Sequence, residues 1–230
     1  MPLDMSKTVL LIIDVQNDFC PAYTSNTGGR NPPGALAVRD GCDVVAPLNS
    51  LAAAVAIAGG RVAATQDWHP GGHVSFASSH QGKKAGDRID LAAAPGQVLW
   101  PGHCVQGTWG AAFHDRLDLN PISLIVRKGF RRDLDSYSAF FENDRKTPTG
   151  LEGWIRSLDI QTVILGGLAT DYCVRYSALD ARRLGFTTII ASDAVRGVGY
   201  PEGSVEQAID EMKAEGIRFA LSAELMEDIR

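Results

Sequence analysis

The 230-residue chain carries four cysteines, Cys20, Cys42, Cys104 and Cys173, none in CxxC spacing. Neither a zinc knuckle nor a disulfide framework is expected from so sparse a set, and the thiols read as reduced. Long hydrophobic runs are missing as well. The N-terminal apolar run, residues 9–13, ends on Asp14, far short of the roughly 20 residues that cross a bilayer and unlike a secretory leader. Nor is there an excess of positive charge: 22 Lys and Arg against 27 Asp and Glu leave a net charge of −5. The most basic stretch, Arg127-Lys128 to Arg131-Arg132, is interrupted by Gly129-Phe130 and followed by Asp133 and Asp135. Such a chain lacks the cationic face that phosphate backbones demand. The glycine signatures of nucleotide sites are also absent, because Gly166-Gly167 and Gly197-Val198-Gly199 match neither the dinucleotide fingerprint nor the phosphate loop. The expectation is a soluble, cytoplasmic protein with a small-molecule partner and no nucleotide cofactor, nucleic acid or membrane; a homo-oligomer is left open.

What is present alternates between strand and helix. A 45% hydrophobic and 21% charged composition supplies a real core, and the length suits one domain over residues 1–230. Residues 8–13 form a continuous apolar run, the pattern of a strand buried on both faces. Further β-branched runs lie at 61–65, 123–127, 162–165 and 187–191, with a short sixth at 217–220. Val44, Leu48, Leu51 and Val55 are at helical spacing and Gly59-Gly60 ends that helix. A second helix is predicted over 172–184, with Val174, Ala178 and Ala181 on one face. A third begins at Ser204-Val205-Glu206-Gln207, which has the capping-box form, and runs to about residue 215. Helix-length crossovers between strands imply an α/β fold, doubly wound around a mostly parallel six-stranded sheet with helices on both faces. Two stretches, 16–40 and 67–121, break the alternation and are rich in Gly, Pro, His and aromatics; long loops of this kind usually carry function.

In open parallel sheets, ligands bind beyond the carboxyl ends of the strands, and reactive side chains collect there. Cys173 follows the turn Gly166-Gly167-Leu168-Ala169-Thr170. With Thr170 or Asp171 as a cap it falls in the first helical turn, where the helix dipole favours thiolate and unpaired N–H groups can hold an oxyanion. Asp14, after five apolar residues, reads either as a cap on the next turn or as a general base whose pKa burial raises. Lys128 reads either as a surface charge or as the cation that offsets a thiolate and a carboxylate. Asp67 and His69, two apart in extended chain, point to one side; with His103 as third ligand they make a carboxylate and two imidazoles with positions left open, a set suited to a transition metal. His73, after Pro70-Gly71-Gly72, is set aside, and His80, His114, Cys20, Cys42 and Cys104 are read as structural.

Taken together, these segments resemble the nicotinamidases, or pyrazinamidases, of the isochorismatase-like (cysteine hydrolase) superfamily. The resemblance runs through Asp14-Val15-Gln16-Asn17-Asp18-Phe19, Asp67-Trp68-His69-Pro70, Trp100-Pro101-Gly102-His103-Cys104, Lys128-Gly129, Asp135-Ser136-Tyr137-Ser138 and Gly166–Val174. It implies a triad of Asp14, Lys128 and Cys173, with metal ligands Asp67, His69 and His103. The metal is one divalent ion, zinc first and iron or manganese next, that holds the substrate's ring nitrogen. It further implies a cis peptide between Leu168 and Ala169, an oxyanion hole from the N–H groups of Ala169 and Cys173, and a ring pocket lined by Phe19, Trp100 and Tyr137. The implied reaction is hydrolysis of nicotinamide to nicotinate and ammonia through a cysteine thioester, a step of pyridine nucleotide salvage toward NAD, with pyrazinamide as a second substrate. Other small-amide hydrolases of the superfamily, of carbamoyl or maleamate type, are the alternative, which the Asp67/His69/His103 set disfavours.

Overall fold

Six strands build one parallel sheet: β1 (Thr8–Ile13), β2 (Arg61–Asp67), β3 (Leu124–Lys128), β4 (Thr162–Leu168), β5 (Thr187–Arg196) and β6 (Arg218–Ala220). The computed structural model describes residues 2–92 and 94–229. Spatial order is β3-β2-β1-β4-β5-β6, so the winding direction reverses between β1 and β4. All six residues of β1 are buried because both sheet faces are covered. Leu10 and Ile12 join one apolar cluster with α1 (Val45–Ile57) and α5 (Ser222–Asp228), whereas Val9, Leu11 and Ile13 join another with α2 (Leu151–Ser157), α3 (Arg175–Arg183) and α4 (Ser204–Ala214). The continuous apolar run of β1 is thereby explained. Among the described residues, no helix is long and apolar enough to cross a membrane.

Three strands extend past their apolar runs. β2 continues through Gln66 and Asp67, β4 through Gly166–Leu168, and β5 as far as Arg196, so the sheet's carboxyl edge carries polar residues and glycine that no hydrophobic pattern marks. Helices α2 and α5, seven residues each, were not expected; α2 buries only Leu151 and Ile155, α5 only Ser222 and Leu225. The expected capping box on α4 is corrected. Gly203 is the N-cap with no side-chain bond, and Ser204 Oγ instead donates to Asp171 Oδ2 at 2.6 Å. Asp171 also accepts the N–H groups of Val198 and Gly199, so it ties a neighbouring loop down and does not cap its own helix. The turn after β4 is a π-helical one, Thr170–Val174, continuing into α3.

The two long loops lie over the carboxyl edge. Isolated bridges pair Gln16 with Phe113, His69 with Val105 and Phe76 with Trp100. The second loop thus folds back on its own start and carries His103 to His69.

Candidate active site

The crevice forms where the strand order reverses, which is where open α/β sheets receive ligands. Gly167, the partner of Ile13 in register, has φ of 122°, and a Cβ there would lie 2.0 Å from the Ile13 carbonyl oxygen. Only glycine lets β1 and β4 approach so closely. Directly after β1, Asp14 turns out of the strand with φ of 46°, a left-handed conformation uncommon outside glycine. Its carboxylate accepts the Thr65 hydroxyl at 2.6 Å. Asp67 and Lys128 are register partners at the ends of β2 and β3. The peptide between Leu168 and Ala169 is cis.

Lys128, fully buried, is the centre of the arrangement. Its Nζ lies 2.8 Å from Asp14 Oδ2, 2.5 Å from Asp67 Oδ1, 3.0 Å from the Ser136 carbonyl and 3.4 Å from Cys173 Sγ. A carboxylate oxygen of Asp14, one of Asp67 and the Cys173 sulfur all fall within 4.8 Å of one another. The surface-charge reading of Lys128 and the capping reading of Asp14 are therefore excluded. Burial opposes the charged amine, yet Asp14 and Asp67 outweigh it and hold Lys128 well above the usual lysine range. Burial raises Asp14, with Lys128 opposing and Asp67 reinforcing. Burial also drives the Cys173 thiol well above its ordinary value, although Lys128 pulls the other way. Burial thus opposes the thiolate that a helix terminus would favour.

Beside this trio, His69 Nε2 lies 3.6 Å and His103 Nε2 3.9 Å from Asp67 Oδ2. The far nitrogens are fixed by backbone: His69 Nδ1 is 2.8 Å from the Gly129 carbonyl and His103 Nδ1 2.8 Å from that of Pro101. An N–H on each Nδ1 leaves both Nε2 lone pairs facing one carboxylate, the outer-shell pattern of metal-binding histidines. Gly129, with φ of 62°, makes room; a Cβ there would sit 2.4 Å from the His69 ring. Asp67 is held below the usual carboxylate range because Lys128 and His69 outweigh its burial. His103, by contrast, is lowered to about 4 by burial and by the neighbouring His69. The donor set fits a divalent metal. His73 is buried and stacked on His69 at 4.2 Å, but its nitrogens meet the Ser75 hydroxyl and the Leu134 carbonyl.

A pocket joins the two groups, lined by Cys173 and Ala169 and by Asp67, His69 and His103. Phe19, Trp100 and Tyr137 line it as well, aromatic walls of the kind small-molecule pockets use. The indole of Trp100 donates to the Tyr137 hydroxyl at 3.2 Å.

The isochorismatase domain model matches residues 8–224. The chain belongs to the isochorismatase family. Within that family it is 42% identical over 221 residues to the nicotinamidase of Acinetobacter baylyi, covering 96% of this chain and 95% of that one. A solved nicotinamidase–pyrazinamidase from Acinetobacter baumanii superposes with a TM-score of 0.86 at 42% identity, covering 96% and 98% of the two chains. The Pyrococcus horikoshii pyrazinamidase, solved in complex with zinc, gives 0.72 at 32% identity over 94% and 99%.

Several residues of this isochorismatase-family site were not singled out from sequence. Leu36, Asp135, Tyr172 and Val198 also line the pocket. Gln16 holds β2 in place by donating to the Asp67 carbonyl at 2.8 Å and accepting the Asp67 N–H at 2.8 Å. Asp18 accepts the Cys104 N–H at 2.7 Å, clamping the loop that presents His103. Their signal lay in the Asp14–Phe19 segment itself, whose polar residues are all buried.

Proposed function

We propose that this chain hydrolyses nicotinamide to nicotinate and ammonia, and pyrazinamide likewise, with Cys173 as nucleophile and Asp14 as general base. One observation carries the reading: Cys173 lines the same pocket as Asp67, His69 and His103, and behind it the buried Lys128 amine lies 3.4 Å from its sulfur and 2.8 Å from Asp14. Asp14 takes the Cys173 proton, and sulfur forms a bond to the carboxamide carbon. The N–H groups of Ala169 and Cys173 receive the charge that builds on oxygen. Asp14 returns the proton to nitrogen, the C–N bond breaks, ammonia leaves and a thioester remains. Asp14 then deprotonates water, whose oxygen adds to the thioester carbon; the C–S bond breaks, the acid forms and ionises to nicotinate, and Asp14 returns its proton to sulfur. Lys128 keeps the total charge of thiolate and carboxylates tolerable in a buried site.

Asp67, His69 and His103 would hold a divalent metal, zinc by preference and otherwise iron or manganese, which would supply a Lewis-acid anchor for the ring nitrogen. Phe19, Trp100 and Tyr137 sandwich and orient the ring, so positioning contributes much of the rate. This reading treats residues 1–230 as one catalytic unit, places the activity in pyridine nucleotide salvage and sets it in the cytoplasm.

Ammonia release from nicotinamide by the purified protein is the test. Cys173→Ala should lower kcat by about four orders of magnitude or more, as loss of a nucleophile does elsewhere. Unchanged turnover in that variant overturns the thioester route.

A further inference from the structure

On the other side of the Asn17–Phe19 turn from the pocket, three groups that the amide chemistry does not use come together. A sulfur of Cys20, a sulfur of Cys42 and a ring nitrogen of His114 lie within 4.8 Å of one another, and both cysteines are free. Cys20 is fully buried, whereas Cys42, in the turn Gly41–Val44, is half-buried and open to solvent. His114 is 1% exposed and stacked on Tyr23 with centroids 3.8 Å apart.

The histidine's tautomer discriminates between a metal and a thiolate. Its Nδ1 accepts the Arg116 backbone N–H at 3.2 Å, which leaves the ring proton on Nε2. Nε2 is buried and has no hydrogen-bond partner among the described residues. A cation on Nε2 would force the proton to Nδ1, donor against the Arg116 donor, the reverse of the backbone-carbonyl support seen at His69 and His103. An N–H with no acceptor favours an anion nearby, and the two sulfurs lie within 4.8 Å of a His114 ring nitrogen. The Cys42 thiol donates to the Pro21 carbonyl at 3.7 Å; Cys20 first and His114 further hold its pKa down at about 5, against its burial and the repulsion of Asp43. The interaction with Cys42, and then burial, push Cys20 up.

We propose that Cys42 and Cys20 are a peroxide-reactive thiol pair that closes reversibly into a disulfide. The Cys42 thiolate attacks one peroxide oxygen, the O–O bond breaks, and sulfenic acid forms as hydroxide departs. The Cys20 sulfur then attacks Cys42, an S–S bond forms, and the sulfenic oxygen leaves as water with the Cys20 proton. Two electrons pass from the pair to the peroxide, and a dithiol reductant restores both thiols by exchange. The bond ties together the two ends of the 21–41 excursion, which carries pocket-lining Leu36 and starts beside pocket-lining Phe19.

The experiment treats the full-length Cys173→Ala protein with hydrogen peroxide and reads intact mass and a peptide map, so its outcome is independent of amide turnover. The expected product is lighter by about 2 Da, carries a Cys20–Cys42 cross-link, and reverts with dithiothreitol. Cys42→Ser should form no cross-link, and Cys20→Ser should stop at a sulfenic acid on Cys42 that dimedone traps. His114→Phe, which keeps the stack on Tyr23, should slow alkylation of Cys42 at pH 6 by about tenfold. Should Cys20→Ser fail to fold, the peptide map of the Cys173→Ala protein decides alone. Oxidation confined to Cys104, an unreacted Cys42, or a bound metal ion that Cys42→Ser removes would overturn the proposal.

Discussion

Asp14 has a thiol and an amine within reach and no exposure to water. Its pKa is raised above 3.8, by burial first and by Asp67 in addition, against Lys128. Taking a proton from sulfur needs the ionised carboxylate. kcat/KM should therefore fall as pH drops through that raised value, and Asp14→Asn should be inactive at every pH. A profile with no acid limb at any pH where the protein stays folded would contradict the role. Glu142 offers a cleaner stability signature, since its Oε2 is buried without a hydrogen-bond partner among the described residues. Burial, opposed by Arg131, raises it from 4.5 to about 7. A folded-state pKa above the unfolded one stabilises fully below pH 4.5, and that contribution disappears as pH rises through 7. Glu142→Gln should accordingly leave the melting temperature unchanged at pH 4 and raise it at pH 8 by roughly 2–4 °C, about 1 kcal/mol for a chain of this size. Melts at the two pH values check the sign.

At the level of elements, the strands were legible where the chain is apolar and illegible where it turns polar. Residues 8–13 announce β1 because both faces are buried, but Gln66-Asp67 and Gly166–Leu168 complete β2 and β4 with no hydrophobic pattern. Those extensions support Asp67 and the turn to Cys173. Helices α2 and α5 were missed because each buries only two side chains, too few to set a period. The meeting of Asp14, Lys128 and Cys173, and that of Asp67, His69 and His103, was readable from their places at the strand ends and in the long loops. The burial of Cys173, 6% exposed, was not, since a helix-terminus argument holds no information about how deeply the sulfur lies. The pocket wall from Leu36, Tyr172 and Val198 depends on how the long loops lie, which no local pattern records. The β1–β4 contact yields a prediction of its own. Gly167→Ala would force a Cβ to 2.0 Å from the Ile13 oxygen at φ of 122°, and should cost about 2–4 kcal/mol in urea unfolding. An unaltered midpoint would mean that the two strands can part without penalty.

Across the whole molecule, the Asp67/His69/His103 group joins β2 to a loop some thirty-odd residues further along the chain, so an ion bound there ties two separate segments of the fold. Anything that binds only the folded state stabilises it by mass action, about 4 kcal/mol at a thousandfold excess over Kd. Chelation should lower the melting temperature of the wild-type protein by several degrees, with zinc restoring it, while His69→Ala melts at one temperature under both conditions. Equal chelator sensitivity in the two proteins would remove the metal from this site. Cys173, Asp14 and Lys128 also differ in how they are anchored. Asp14 and the turn before Cys173 hang from the two innermost strands, whereas the Lys128 amine is delivered by β3, an edge strand whose Ile125 is 45% exposed. Fraying that begins along this border reaches the trio at once, while the opposite margin at β6 can breathe without unsettling any of the three.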